Sequence, residues 1–163
     1  MSYKILLLIG SESDRSTFEH ADKYLDWFGL QGDLKVSSAH RNPEQTAALA
    51  GSAREHGYCA IICGAGMAAH LAGAVAAQTL RPVIGVPIDA GPLSGFDALL
   101  STAQMPGGIP VATVAIGKAG AKNAGYLAAQ IIAVTDDALK AKLIAEREAN
   151  AQAIRDKNKT LKA

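Results

Sequence analysis

The residues Ile5-Leu6-Leu7-Leu8-Ile9 form an unbroken apolar run, ended by Gly10. A strand with one wet face alternates apolar and polar side chains. A run apolar at every position fits a strand covered on both faces, the habit of parallel sheets flanked by helices. The rest of the chain repeats the order strand, loop, helix. A helix is expected to about Phe28, with Phe18, Ala21, Leu25 and Phe28 at helical spacing, Ser16 and Glu19 spaced for a capping box, and Gly29 as its stop. Further strands are expected at residues 34–37, 58–63, 82–87 and 111–116, and further helices at 43–56, 71–80, 96–104 and 121–135. Asp136-Asp137 opens a last charged helix over about 136–160. Five such units predict an α/β fold, a three-layer sandwich around a flavodoxin-like five-stranded parallel sheet, with an extended C-terminal helix. A length of 163 residues without linker, repeat or low-complexity segment predicts one domain, 1–163.

Composition narrows the function classes. With 49% hydrophobic residues the chain can bury a core, which excludes disorder. A net charge of +1 gives no general attraction to nucleic acid or to an anionic membrane, so any phosphate recognition must be local. The N-terminal apolar run is too short for a membrane span or a secretory signal, and the expected compartment is the cytoplasm. Cys59 and Cys63 are the only cysteines. On one face of a strand, four residues apart, their Cα atoms would be about 13 Å apart. A disulfide needs less than about 7 Å. No further cysteine or histidine cluster completes a metal site, and both are read as apolar thiols.

Candidate chemistry gathers in the loops that follow the first three strands, where α/β sheets bind ligands. Ser38-Ala39-His40-Arg41 sets a hydroxyl, an imidazole and a guanidinium side by side, just before a helix start marked by Asn42 and Pro43. Arg41 has the forked donor geometry that suits phosphate, and the helix N-terminus is expected to help hold an anion. His40 can exchange a proton near neutral pH. Gly10-Ser11-Glu12-Ser13-Asp14 offers hydroxyls and a carboxylate to phosphate or ribose. Gly64, Gly66 and Ala69, with Asp89 downstream, match the dinucleotide fingerprint loosely, but mid-chain and without a second domain to hold a hydride partner. Gly117-Lys118 lacks the glycine and hydroxyl spacing of a nucleoside-triphosphate loop. His70 ends the third loop, and His20 and His56 are read as structural. In the last helix, Leu139, Leu143 and Ile144 form a narrow apolar stripe, which suits either a partly frayed tail or an arm packing on another subunit.

Gly-Ser-Glu-Ser-Asp at 10–14, Ser-Ala-His-Arg at 38–41, Gly-Ala-Gly-Met-Ala-Ala-His-Leu at 64–71, Leu-Ser-Gly-Phe-Asp at 93–97, Gln-Met-Pro-Gly-Gly-Ile-Pro-Val at 104–111 and Ala-Ile-Gly-Lys-Ala-Gly-Ala-Lys-Asn-Ala at 115–124 stand in one order. Together they resemble the PurE family, the carboxyaminoimidazole ribonucleotide mutases of purine biosynthesis. The resemblance implies a small-molecule ribonucleotide substrate, no cofactor or metal, no nucleic-acid or membrane partner, and a homo-octamer. It implies transfer of a carboxylate from an exocyclic nitrogen to ring carbon C4, by decarboxylation and recarboxylation. In that frame His40 carries the proton, Ser38 and Arg41 hold phosphate, and Ser11 and Asp14 meet phosphate or ribose. Ala65 and Gly66 line the base pocket through backbone groups, and His70 and Leu71 close around carbon dioxide. Two positions depart from the family pattern: Met67 stands where a glycine is usual and Ala72 where a proline is usual. If the turn needs positive φ, Met67 carries strain. The alternatives are a carboxylase that uses free carbon dioxide, whose third loop is typically more polar, and a non-catalytic nucleotide-binding module. Retention of Ala68-Ala69-His70 favours the mutase.

Overall fold

A computed structural model describes residues 3–161. In chain order the elements are β1 (Lys4–Ile9), α1 (Arg15–Phe28), β2 (Gln31–Val36), α2 (Pro43–Gly51), β3 (Tyr58–Gly66), α3 (Leu71–Ala76), β4 (Val83–Ile88), α4 (Phe96–Ala103), β5 (Ala112–Thr113), α5 (Gly117–Ala133) and α6 (Asp137–Thr160), with a short 3₁₀ turn at Glu12–Asp14 before α1. All strand pairs are parallel, in the order β2-β1-β3-β4-β5. This is the expected flavodoxin-like three-layer sandwich.

The apolar run of β1 explains the layering. Ile5, Leu7 and Ile9 pack with Phe18, Leu25, Ala124 and Ala128 of α1 and α5 on one face. Leu6 and Leu8 pack with Ala50, Leu71 and Val75 of α2 and α3 on the other. All five β1 residues from Ile5 to Ile9 are fully buried. Helix α1 can lie close because β3 has no side chain at Gly64. A Cβ there would stand 2.1 Å from the Phe18 ring. Gly29 ends α1 with φ +78°, its N–H donating to Asp26 and Leu25 carbonyls.

Several local expectations are corrected. The Ser16–Glu19 capping box does not form, because Asp14 is the N-cap of α1 and Ser16 already lies inside the helix. Strand β2 starts three residues earlier than expected, through parallel register with β1 from Lys4↔Gln31 onward. Helix α2 stops at Gly51, and turns fill the stretch to Gly57. Strand β3 runs on through Gly66, since β4 pairs with it as far as Gly66↔Ile88. Strand β5 shrinks to two residues at the sheet edge. Helix α5 begins at Gly117.

Cys59 and Cys63 do not share a face: Cys59 packs against the α1–α5 side and Cys63 against the α2–α3 side. The register of β1 on β3 slips by one residue after Lys4, and such a bulge reverses the alternation. Both cysteines are free, and burial pushes the Cys63 thiol far up, out of the reactive range. Ile144 does not join the packed stripe of α6: Leu139 and Leu143 are buried while Ile144 is 61% exposed. Among the described residues, no helix is long and apolar enough to cross a membrane.

Candidate active site

Register carries the chemistry to one place. Ile9 pairs with Val36 on one side and Gly64 on the other, so β1 and β2 end level while β3 runs on two residues to Gly66. The Gly10 N–H donates to the Gly64 carbonyl at 3.0 Å and the Ser37 N–H to the Ile9 carbonyl at 2.9 Å, which holds the three following loops edge to edge. The chain leaves β1 toward β2 and leaves β3 toward β4, so this junction is the switch point at which doubly wound sheets open a crevice.

A cavity of about 490 Å³ lies there. All nine residues singled out from the sequence line it: Ser11, Asp14, Ser38, His40, Arg41, Ala65, Gly66, His70 and Leu71. Six more share the lining: Gly10, Ser13, Ala39, Met67, Ala68 and Ala90. Ser13 carried a signal, standing in the same hydroxyl-rich loop as Ser11. Ala90 carried none, since a methyl group has no chemistry to read and only the register of β3 on β4 brings it across. Asp89 is not in the lining, which removes the acidic partner that a dinucleotide site would need. A larger depression of 610 Å³, between Ala76–Val83 and Gly108–Ala112, lies at the amino ends of β4 and β5 and gathers no comparable set of proton-transfer groups.

The loop after β2 is held by its own side chains. Ser38 Oγ accepts from the Arg41 N–H at 3.2 Å and from Arg41 Nε at 3.3 Å, while Arg41 Nη2 donates to the Gly10 carbonyl at 3.2 Å. The guanidinium is thereby folded back across the first loop, and the Ser38 hydroxyl keeps its own proton free to donate. Asn42 Oδ1 takes the Gln45 N–H at 3.2 Å, Pro43 has no N–H, and neither residue lines the cavity.

In the first loop Ser13 Oγ donates toward Ser11 Oγ at 3.0 Å and stands 3.3 Å from Asp14 Oδ1. Asp14 is 7% exposed. Burial raises its carboxyl above the ordinary value, more than the Ser13 hydroxyl and the Ser11 backbone contact lower it. A buried carboxylate with little charge compensation, facing a cleft, marks a functional position.

His40 and His70 face one another. Their rings are parallel within 8° with centroids 5.2 Å apart. His70 sits at the N-cap of α3 but makes no side-chain cap bond, so its imidazole is not spent on the helix. Met67 adopts φ +55°, the left-handed conformation that a glycine would take without strain. Ala72, the second residue of α3, is buried and packed on the α2–α3 side of the sheet.

Comparison with known proteins gives this geometry its family. The sequence model of the family described as AIR carboxylase matches residues 4–153. The chain is 51% identical over 148 residues to a Bacillus subtilis protein named N5-carboxyaminoimidazole ribonucleotide mutase, covering 91% of each. It is 46% identical over 157 residues to one of the same name from Brucella melitensis, covering 96% of this chain and 97% of that one. Among solved structures, Treponema denticola PurE superposes with a TM-score of 0.87 at 28% identity, over 98% of this chain and 99% of that one. The chain therefore belongs to the PurE, or AIR carboxylase, family and stands with its N5-carboxyaminoimidazole ribonucleotide mutases.

Proposed function

We propose that this protein is an isomerase of purine biosynthesis that converts N5-carboxyaminoimidazole ribonucleotide into 4-carboxy-5-aminoimidazole ribonucleotide. The relatives at 46–51% identity support the reaction. The observation that carries the reading of the site is the single cavity in which phosphate-type donors and a proton carrier meet. Arg41, Ser38 and Ser11 hold the phosphate, and Asp14 accepts from ribose hydroxyls. The backbone of Ala65 and Gly66 lines the base, where small residues let the chain approach a flat ring closely.

The chemistry needs one proton moved twice. When the carboxylate leaves as carbon dioxide, the bonding pair stays on the exocyclic nitrogen, which takes a proton from His40. Ring carbon C4 then attacks the trapped carbon dioxide and forms the new carbon–carbon bond. The proton displaced from C4 returns to His40, so no net acid or base is consumed. His70, stacked on His40, and Leu71 close the space in which carbon dioxide waits; a small apolar enclosure keeps water from competing. The working unit is the single domain 1–163, assembled as a homo-octamer in the cytoplasm, with α6 packed on a neighbouring subunit. The exposed Ile144 and Ile154 on that helix support this assembly.

Turnover of the N-carboxylated ribonucleotide without dependence on added bicarbonate is the expected result. Activity only with aminoimidazole ribonucleotide plus carbon dioxide would assign the carboxylase reaction instead. Ribonucleotide binding without turnover by either route, unaffected by His40→Asn, would mark a binding module.

A further inference from the structure

Met67 is hard to account for in the free protein. Among the described residues it is one of two non-glycine residues with positive φ; the other is Ser94, at +51°. A side chain in that region crowds its own backbone, so the position favours glycine. The turn is nevertheless held firmly, since the Met67 carbonyl accepts the Ala69 N–H at 2.8 Å. Nor does burial compensate, because Met67 is 57% exposed. The side chain leans out from the loop after β3 toward the loop after β4: a Cβ on Gly91 would stand 3.6 Å from Met67 Cγ.

The lining supplies what the fold does not. The cavity runs across the ends of β2, β1, β3 and β4. Its β2 and β1 sector carries Arg41, Ser38, Ser11 and Ser13, with Asp14 and His40; its β3 and β4 sector carries Gly66, Met67, Ala68 and Ala90, with His70 as its one polar side chain. A phosphate belongs in the first sector and an uncharged flat ring in the second. Methionine is flexible and its sulfur polarisable, which suits it to the face or edge of an aromatic ring.

We propose that Met67 is a specificity-determining residue, its thioether closing over the heterocycle of the bound ribonucleotide and bridging the loops after β3 and β4. The contact selects for the ring and leaves the ribose phosphate indifferent. This rests on the ribonucleotide reading of the site given above.

The test is calorimetric titration of the wild type, Met67→Ala and Met67→Gly with two probes, aminoimidazole ribonucleotide and ribose 5-phosphate. Both variants are expected to lose about two- to tenfold in affinity for the ribonucleotide, the range of a sulfur–aromatic contact, and nothing for ribose 5-phosphate. Met67→Gly is expected to melt about 2–4 °C above Met67→Ala, since only glycine relieves the left-handed backbone. Unchanged ribonucleotide affinity in both variants overturns the proposal. An equal loss for both probes also overturns it, because the cavity rather than the ring contact would then have changed. If the wild type binds neither probe, the ribonucleotide reading itself fails and this proposal with it.

Discussion

At the residue scale, the proposed mechanism separates a proton carrier from its anchors. His40→Asn removes the only role assigned to that imidazole while leaving Ser38, Arg41 and Ser11 in place. Turnover is expected to fall by about 10²–10⁴-fold, the usual share of general acid–base catalysis. Affinity for the ribonucleotide should stay within about tenfold, checked by steady-state kinetics beside titration. Asp14 gives a prediction of opposite sign for stability and function. Burial raises its carboxyl, so the folded state disfavours the charge that neutral pH imposes. Below the unfolded carboxyl range, about pH 4, both states are protonated and no penalty exists; above the raised folded value the penalty is complete. Asp14→Asn should therefore unfold at higher temperature than the wild type at pH 7, with the difference vanishing below about pH 4, while binding the ribonucleotide more weakly. Melting curves at the two pH values check the first half and titration the second. A fold that tolerates a costly buried carboxylate at its cleft does so for a ligand rather than for itself.

Between elements, packing depends on places where a side chain is missing. Gly64 faces the Phe18 ring, which is fully buried and cannot swing away. Gly64→Ala should cost about 1–3 kcal/mol by overpacking the α1–β3 contact, read as a shift in the denaturant midpoint. Such contacts were only partly legible. The spacing of Phe18, Ala21, Leu25 and Phe28 marked the buried face of α1 correctly, because helical periodicity is local. The end of β3 was not legible: Gly64-Ala65-Gly66 looks like a loop, and becomes strand only because β4 stands beside it. Helix α6 shows the same division. Asp136 was readable as its cap, and its carboxylate accepts the Leu139 N–H at 2.8 Å and the Tyr3 hydroxyl at 2.9 Å. Those bonds hold Asp136 below the ordinary carboxyl value. Their support is present above the unfolded carboxyl range and is lost as acid reaches the lowered folded value. Asp136→Ala should therefore destabilise at pH 7 and make no difference in strong acid, as followed by circular dichroism.

For the whole molecule, the outer surface looks unfinished. Trp27, Leu80, Phe96, Ile144 and Ile154 are each more than half exposed, among the described residues. On the octamer reading these belong to subunit contacts. Ile144→Glu combined with Ile154→Glu is expected to keep the helical signal and lower the sedimentation mass; an unchanged mass would assign those residues to open solvent. The sequence by itself determined the layer architecture and the chemical inventory of the site. Apolar runs and helical spacing are local consequences of which faces must be dry, and His40, Arg41, Ser38 and Ser11 declare their chemistry by residue type. Only the tertiary structure decided which of these groups meet. The register of β2 and β3 on β1 brings the three loops into one cavity, and the parallel stack of His40 on His70 joins residues thirty positions apart. Tertiary pairing also moved Cys59 and Cys63 to opposite faces through one bulge, and set Ala90 beside Gly66. Pairing register is a long-range property that no local pattern encodes, and a one-residue slip reverses every side chain beyond it.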